Sequence, residues 1–404
     1  ARVVGEDARV SEAAIVVLGL FGDWSSAHCL GALLHEDPAT CRQFGRTSLP
    51  TRLRAHAGYA LGLLAQRADN RDVRRFVALT LARPFGGEVS AQREVRIACV
   101  TSMGLIELDS GGAEPGTKDH LCPGATREGQ LAWLLAQFED PREDSSVRAH
   151  AATAIARLAR DASEGWRELA LEALCGPLSR ATGEPSVVRQ SCTLAVGHLG
   201  DPDQDRIDQR ARQMLERAAA GDSDVATRQF ALVALAEVGA RRGRGSDPWA
   251  GTEAVRQRLM TTLARGKSRT KPWAALGLGV MGHRLNEAGE ATSLDATRAI
   301  DSCLAECKSP DDVGAFAVAL ALSGGGQKFW GSLVERLDDF ASDNARADVA
   351  LACGLAGAKD AVRGLREMLE DSANRPAVLT STATALGLLE DRELSGMLVE
   401  DLAS

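Results

Sequence analysis

The chain has 404 residues, a formal net charge of −8 at pH 7 and only 4% aromatic residues. This length exceeds one compact core and favours either two or three globular domains or one repetitive array. The apolar residues are mainly Ala, Leu, Val and Gly, which favours closely packed helices over strands. The longest strongly apolar run, 13–21, is too short to cross a bilayer, so we expect no membrane span.

The cellular compartment is predicted from the first residues and from the cysteines. The chain does not begin with Met, and its first residues do not resemble a signal peptide. Its nine cysteines are scattered and odd in number, which favours a reducing compartment. We therefore expect a cytoplasmic protein; export followed by N-terminal processing is the alternative.

One sequence pattern recurs along the whole chain. In "VVRQSCTLAVGHLGD" (187–201), Arg189 is followed eight residues later by Gly197. Ten copies occur at spacings of 32 to 52 residues; seven begin with Arg, and nine have Gly or Ala eight residues later. The copies begin at Ser11, Arg54, Arg96, Arg148, Arg189, Arg228, Arg269, Gly314, Arg346 and Leu379.

Each copy has the apolar spacing of one helix. The residues three, six, seven and ten places after the first are small or apolar in nearly every copy; after Arg189 they are Cys192, Ala195, Val196 and Leu199. These offsets lie on one face of an α-helix. The small residue at the eighth place allows a neighbouring helix to approach closely, although Gly costs about 1 kcal/mol of helix propensity.

A second amphipathic segment precedes most copies, as in 130–140, 208–220 and 361–373. Acidic, Ser or Pro residues lie between the two segments, as in "EDSSVR", "GEPSVVR" and "GDSDVATR", where they can cap the second helix. The sequence therefore predicts a series of helical hairpins.

Hairpins of this length, with "VR" opening the second helix and "LGxLGD" near its end, resemble the HEAT repeat, and in particular the bacterial HEAT-like repeats named after phycobilisome lyases. The resemblance covers essentially the whole chain. It implies an all-α, armadillo-like fold: a right-handed α-solenoid of about ten hairpins, continuous over 1–404. In that family the first-position Arg commonly pairs with an Asp between the helices. The resemblance thus implies a structural ladder of Arg54, Arg96, Arg148, Arg189, Arg228 and Arg346.

The predicted solenoid has two parts. Residues 1–285 contain repeats of about 42 residues with inserted loops at 36–51, 109–129 and 241–252. Residues 286–404 contain shorter repeats and a final amphipathic segment that is expected to form a capping helix. This second part has a net charge of −11, which leaves +3 for 1–285 out of the total of −8. Inserted loops on solenoids often line a binding face.

No segment carries a complete catalytic or cofactor motif. "GGAEPGTK" approaches a phosphate-binding loop, but Thr117 and Lys118 are in the wrong order. The pair His35–Glu36 resembles one element of deoxyhypusine hydroxylase, a HEAT-repeat iron enzyme with several such pairs, and one pair cannot build that site.

Other candidate metal ligands are incomplete as well. His56 and His150 are two repeats apart, about 20 Å, and so cannot share one ion. Cys303 and Cys307 provide at most half of a site. We therefore predict no catalytic, cofactor-binding or metal-binding residues and no cofactor.

The charge pattern identifies a candidate partner-binding segment. Residues 241–271 contain nine basic residues against Asp247 and Glu253; Trp249 lies among them and Trp273 directly after them. The predicted partner-binding residues are Arg241, Arg242, Arg244, Trp249, Arg265, Lys267 and Lys271. The first three lie in a Gly-rich stretch, so we expect their side chains to be exposed. The last three precede the next second helix and would approach the first three only if the loop folds back.

These observations favour a non-enzymatic scaffold for protein–protein interaction, alone or as a subunit of a larger assembly. The partner's identity is unknown; another copy of the chain could offer its acidic end to the basic loop, head to tail. One alternative is a nucleic-acid-binding solenoid that uses 241–271, although the net charge of −8 makes nucleic acid a poor partner. The other is a HEAT-like enzyme or a chromophore-lyase relative.

Overall fold

The protein is described by a computed structural model. The described residues are 8–43, 45–86, 91–116, 122–179, 183–337, 339 and 341–392. Thr117 and Lys118 of the loop that approaches a phosphate-binding motif lie outside these ranges, as does nearly all of the predicted capping helix. Within the ranges the regular structure consists of α-helices and short 3₁₀ turns, which confirms the all-α prediction. None of the described helices is long and apolar enough to span a membrane.

The chain divides into two compact units, Ala1–Gly200 and Asp201–Ser404. The described helices of the first unit are α1 (Ala8–Phe21), α2 (Trp24–Leu34), α3 (Pro38–Gln43), α4 (Thr51–Arg67), α5 (Arg71–Ala82), α6 (Arg93–Met103), α7 (Arg127–Glu139), α8 (Ser145–Ala159), α9 (Glu164–Cys175) and α10 (Ser186–Leu199).

The described helices of the second unit are α11 (Arg206–Gly221), α12 (Val225–Gly239), α13 (Thr252–Arg265), α14 (Lys271–Glu287), α15 (Leu294–Glu306), α16 (Val313–Leu322), α17 (Trp330–Val334), α18 (Asp343–Ala356), α19 (Val362–Glu370) and α20 (Pro376–Leu388). That the two units form one continuous array stays a prediction.

Each unit is a stack of helical hairpins. In the first unit α1, α4, α6, α8 and α10 pack side by side, and α2, α5, α7 and α9 form a second layer against them. In the second unit α12, α14, α16, α18 and α20 form one layer, and α11, α13, α15, α17 and α19 the other. Nine of the ten copies begin inside separate helices of the first-named layers, and the copy at Arg269 begins two residues before α14. The predicted hairpin series is thus confirmed within each unit.

Side chains between the helices cap several of them. Asp144 accepts a hydrogen bond from the N–H of Ser146 at 2.8 Å, and Asp224 accepts one from Thr227 at 2.7 Å. These contacts satisfy N–H groups that have no partner inside the helix. In "GEPSVVR", however, Pro185 is the residue before α10 and makes no side-chain cap, so the expected cap is missing there.

The apolar positions of the repeats form the core. Cys192, Ala195, Val196 and Leu199 of α10 are buried, as is Cys99, which has the place of Cys192 in the copy that begins at Arg96. Burial raises the pKa of Cys99 to about 12. This thiol is therefore a packing group and not a nucleophile.

Close approach at the eighth position is confirmed at several glycines. A Cβ atom on Gly62 would lie 2.9 Å from the Cα of Ser102, and one on Gly104 would lie 2.7 Å from the Cα of Ala154. Both distances are far below a normal contact, so a larger residue would push neighbouring second helices apart. Gly387 differs, because a Cβ there would meet nothing within 4 Å.

Candidate binding site

Helix α13 divides the basic segment 241–271. At a rise of about 1.5 Å per residue, its 14 residues extend about 21 Å. The predicted residues Arg241, Arg242, Arg244 and Trp249 precede the helix, whereas Arg265, Lys267 and Lys271 come at or after its end. The structure therefore does not bring the two groups together in one patch.

The loop before α13 is held inside the second unit. The N–H groups of Arg244 and Gly245 donate to one carboxylate oxygen of Asp203, at 3.1 and 2.9 Å. Arg241 pairs with Glu237 at 3.8 Å, and only 14% of its side chain is exposed. The expectation that all three loop arginines are exposed is therefore wrong for Arg241, because the end of α12 offers it a carboxylate. Arg242 and Arg244 are exposed, and Trp249 is half-buried.

The loop at the start of the second unit contains three buried carboxylates, which the sequence reasoning missed. Oxygens of Asp201, Asp203 and Asp208 lie within 4.8 Å of one another, close enough to hold a cation. They also order the loop: Asp208 accepts the N–H of Asp201 at 2.8 Å, and Asp201 accepts that of Asp203 at 3.1 Å. Burial works to raise the pKa of Asp203, but the backbone N–H groups bonded to its carboxylate hold that pKa below its usual range. The D-x-D-x-D-x-x-D spacing of 201–208 was the available signal.

A basic cavity lies at the other end of α13. We call it the basic pocket. Its volume is about 430 Å³, and it is formed where α11 and α13 end and where α14 begins. Its lining residues are Ala219, Ala220, Gly221, Asp222, Arg228, Arg258, Thr261, Thr262, Arg265, Gly266, Lys267 and Thr270. Four of these are basic and one is acidic.

The four basic side chains have few partners. Arg228 donates to the carbonyl oxygens of Asp222 and Ser223. The buried Nε of Arg258 has no hydrogen-bond acceptor, and Arg265 and Lys267 are exposed. Among the carboxylates that the structure describes, none forms an ion pair with any of these four. The basic pocket therefore carries positive charge that its own unit leaves largely uncompensated.

The threonine hydroxyls of the pocket donate their protons to nearby carbonyls. Thr261 donates to the carbonyl of Gln257 at 2.8 Å, Thr262 to that of Arg258 at 3.0 Å, and Thr270 to that of Lys267 at 2.9 Å. Among the side chains of the pocket, the guanidinium and ammonium groups are therefore the donors left for a ligand. Charged donors favour anionic acceptors, so the pocket suits an anion. Of the predicted partner-binding residues, Arg265 and Lys267 line this pocket, and Lys271 lies beside it at the start of α14.

Each arginine of the proposed ladder is the fourth residue of its helix, next to the turn that joins the paired helices. Three of them form ion pairs with glutamates: Arg54 with Glu36, Arg96 with Glu143 and Arg148 with Glu184. The resemblance implied Asp as the partner, whereas the ion pairs of Arg54 and Arg148, and the one described for Arg96, are with Glu. Glu has one more methylene group and reaches the guanidinium from a turn.

The other ladder arginines make different contacts. Arg189 donates to the carbonyl of Glu184, and Arg228 to those of Asp222 and Ser223. The buried Nε of Arg346 has no acceptor. A common structural role for all six arginines stays a prediction.

The pair His35–Glu36 belongs to a turn of the first unit. Glu36 has a positive φ of 56°, pairs with Arg54 at 2.9 Å and accepts the N–H of Leu49 at 2.7 Å. His35 lies beside a cavity of about 480 Å³, together with His28 and Arg83. These contacts show that Glu36 stabilises the turn.

Acidification is expected to destabilise the protein through His35. Burial and the positive charges of Arg83 and Arg54 lower the pKa of His35 from 6.5 to about 4. As the pH falls, His35 is therefore protonated in the unfolded chain before it is protonated in the folded protein. The folded state loses stability as the pH falls from 6.5 to about 4. We expect the melting temperature to fall less with pH in His35→Gln than in the wild type.

The control for this prediction is His283→Gln, at an exposed histidine of the second unit. The pH dependence of the melting temperature should change more in His35→Gln than in this control. NMR titration of the His35 ring measures the pKa directly, and a value near 6.5 would contradict the prediction.

Comparisons with known proteins concern the fold. No protein-family model and no curated protein matches the chain. Among solved structures it is similar to an engineered protein, at 14% identity over 96% of this chain and 97% of that one, with a TM-score of 0.35. It is also similar to Kap121p, at 11% identity over 100% of this chain and 51% of that one, with a TM-score of 0.49. A third similarity is to human deoxyhypusine hydroxylase, at 17% identity over 91% and 96% of the two chains, with a TM-score of 0.29. At these values none of the three assigns a function to the chain.

Proposed function

We propose that the protein is a non-enzymatic scaffold of HEAT-like repeats that binds a partner protein, and that the basic pocket receives an acidic segment of that partner. The observation that carries this proposal is the set of four basic side chains, Arg228, Arg258, Arg265 and Lys267, which have no carboxylate partner among the described residues. Uncompensated cations in a concave site attract and orient an anionic ligand.

The shape of the site favours a short acidic segment over a nucleic acid. A protein that follows a nucleic-acid backbone needs basic groups along an extended path, because each phosphate contact adds to affinity. The cations of the basic pocket converge at the ends of two helical hairpins, and the chain as a whole is acidic. A duplex that approached along the chain would meet net repulsion.

The enzyme alternative has less support. Among the described residues, one group of three metal-ligating side chains (His, Cys, Asp or Glu) lies close enough together to share an ion. It is the acidic triad of Asp201, Asp203 and Asp208. It contains no histidine, so it does not match the His-Glu donor set of an iron hydroxylase. His35 and Glu36 are positioned by turn contacts in the other unit.

The proposal is tested with a fluorescein-labelled oligoglutamate peptide and the full chain. Fluorescence anisotropy should detect binding at about 50 mM salt that weakens strongly by about 500 mM, because exposed charge contacts are screened. In the double variant Arg258→Glu/Arg265→Glu, affinity should fall by about tenfold or more.

The matched control is Arg242→Glu/Arg244→Glu, which makes the same change of net charge at the other end of α13. Its affinity should stay within about twofold of the wild type. An equal loss in both double variants would assign binding to net charge alone, and absence of binding at low salt would overturn the proposal. Binding of a labelled DNA duplex in preference to the peptide would favour the nucleic-acid alternative. Salt-dependent self-association in sedimentation would identify a second copy of the chain as a partner.

A further inference from the structure

We infer that the anionic group received by the basic pocket is a phosphate monoester carried on a side chain of the partner, so that phosphorylation of the partner switches binding on. This inference rests on the proposed function and concerns the same site. A phosphate monoester suits the four cations of the pocket better than a carboxylate does.

The charge balance of the pocket favours a group with more than one negative charge. Arg228, Arg258, Arg265 and Lys267 bring four positive charges, and Asp222 brings one negative charge. A Glu or Asp side chain of a partner supplies one negative charge, whereas a phosphate monoester carries about −1.5 to −2 at pH 7. Of the two, the phosphate comes closer to neutralising the pocket.

The directions of the basic groups also favour phosphate. Arg258 and Arg265 are seven residues apart on α13, two helical turns, and therefore project from the same side of that helix. Arg228 comes from α12 across the cavity, and Lys267 from the turn that follows α13. A carboxylate offers two oxygens whose lone pairs lie in one plane, whereas the three oxygens of a phosphate accept donors from several directions at once.

The partial charges at the helix ends do not account for the attraction of a phosphate to the basic pocket. The pocket contains the last residues of α11 and α13, whose carbonyl ends are partially negative, and Thr270 at the partially positive start of α14. Arg228 neutralises part of the carbonyl end by donating to Asp222 and Ser223. Recognition therefore depends on side-chain cations, which substitutions can remove one by one.

The size of the pocket fits a phosphorylated side chain within a peptide. Its volume of about 430 Å³ lies within the range of roughly 300 to 1,000 Å³ that is typical of ligand pockets. A phosphate group alone would leave much of it empty. The side chain and flanking backbone of the phosphorylated residue would occupy the remaining space.

The inference is tested with three labelled acidic peptides that differ only at their central residue: Ser, Glu or phosphoserine. The full chain should bind the phosphoserine peptide about tenfold more tightly than the Glu peptide, and the Ser peptide most weakly. Arg265→Gln/Lys267→Gln changes exposed residues only and should remove most of this preference without loss of helicity. The control Arg242→Gln/Arg244→Gln should keep it.

A pH series distinguishes the two anions independently. The second pKa of a phosphate monoester is about 6, so affinity for the phosphoserine peptide should fall between about pH 7.5 and pH 5. Glu has an ordinary pKa of about 4.3 and stays ionised over this range, so affinity for the Glu peptide should change little.

Four other outcomes would contradict the inference, and each has a different meaning. Equal affinity for the phosphoserine and Glu peptides would leave the proposed function intact and remove the phosphate preference. Absence of binding to either peptide would overturn both. A preference that persists in Arg265→Gln/Lys267→Gln would place recognition outside the basic pocket. Binding to phosphatidic acid vesicles or to free phosphate, without binding to the peptides, would identify a source of phosphate other than a protein.

Discussion

Replacing Gly354 with Leu is expected to lower the free energy of unfolding by about 3 kcal/mol. A Cβ atom on Gly354 would lie 2.6 Å from the Cα of Ala385 and 3.1 Å from its carbonyl oxygen. Both contacts are with the backbone of α20, so α18 and α20 would have to separate to accept the side chain. The gain in helix propensity from Gly to Leu, about 0.8 kcal/mol, is smaller than this packing cost.

Gly387→Leu is the matched control for Gly354→Leu. Gly387 has the same place in the next copy of the repeat, but a Cβ there would meet nothing within 4 Å. Only the propensity gain remains, so we expect no loss and a stabilisation of up to about 1 kcal/mol. Urea unfolding followed by circular dichroism measures both variants. A similar loss in the two would show that close approach at Gly354 is not the cause.

The periodicity of the sequence was enough to predict where the second helices lie. The copy that begins at Ser11 lies in Ala8–Phe21, and the preceding amphipathic segment predicted at 208–220 lies within Arg206–Gly221. Such helices are predictable because one buried face repeats every three to four residues, and because each hairpin packs mainly on its neighbours in sequence. The close contacts at Gly62 and Gly104 follow from the same local rule.

The ion pairs and the basic pocket were less predictable. Arg96 and Glu143 are 47 residues apart and meet only because two successive hairpins stack. The pocket likewise joins Arg228, an arginine of the predicted structural ladder, with Arg258, one of the nine basic residues of 241–271. A run of basic residues in a sequence indicates positive charge but not where the side chains lie. Because α13 runs through the middle of 241–271, the two ends of this segment lie at opposite ends of the helix. The seven-residue spacing of Arg258 and Arg265 was the signal that could have joined them.

Arg148→Ala is expected to lower the free energy of unfolding by about 3 kcal/mol or more. The Arg148 side chain is only 11% exposed. Two of its nitrogens donate to the two carboxylate oxygens of Glu184, each at 2.9 Å, and its Nε donates to the carbonyl of Phe138 at 2.8 Å. Truncation leaves a partly buried carboxylate and a helix-end carbonyl without these donors, and such groups cost more than the net value of the bonds.

A double-mutant cycle separates this pairing from a general effect of losing an arginine. Arg157→Ala, at an exposed position of the same helix, should change stability by less than about 0.5 kcal/mol. In Arg148→Ala/Glu184→Ala both charges are gone, so the combined loss should be smaller than the sum of the two single losses by about 1 kcal/mol or more. Chemical denaturation of the four variants and the wild type provides all the terms. Strict additivity would mean that Arg148 contributes through its hydrogen bond and ring contact with Phe138 and not through the ion pair with Glu184.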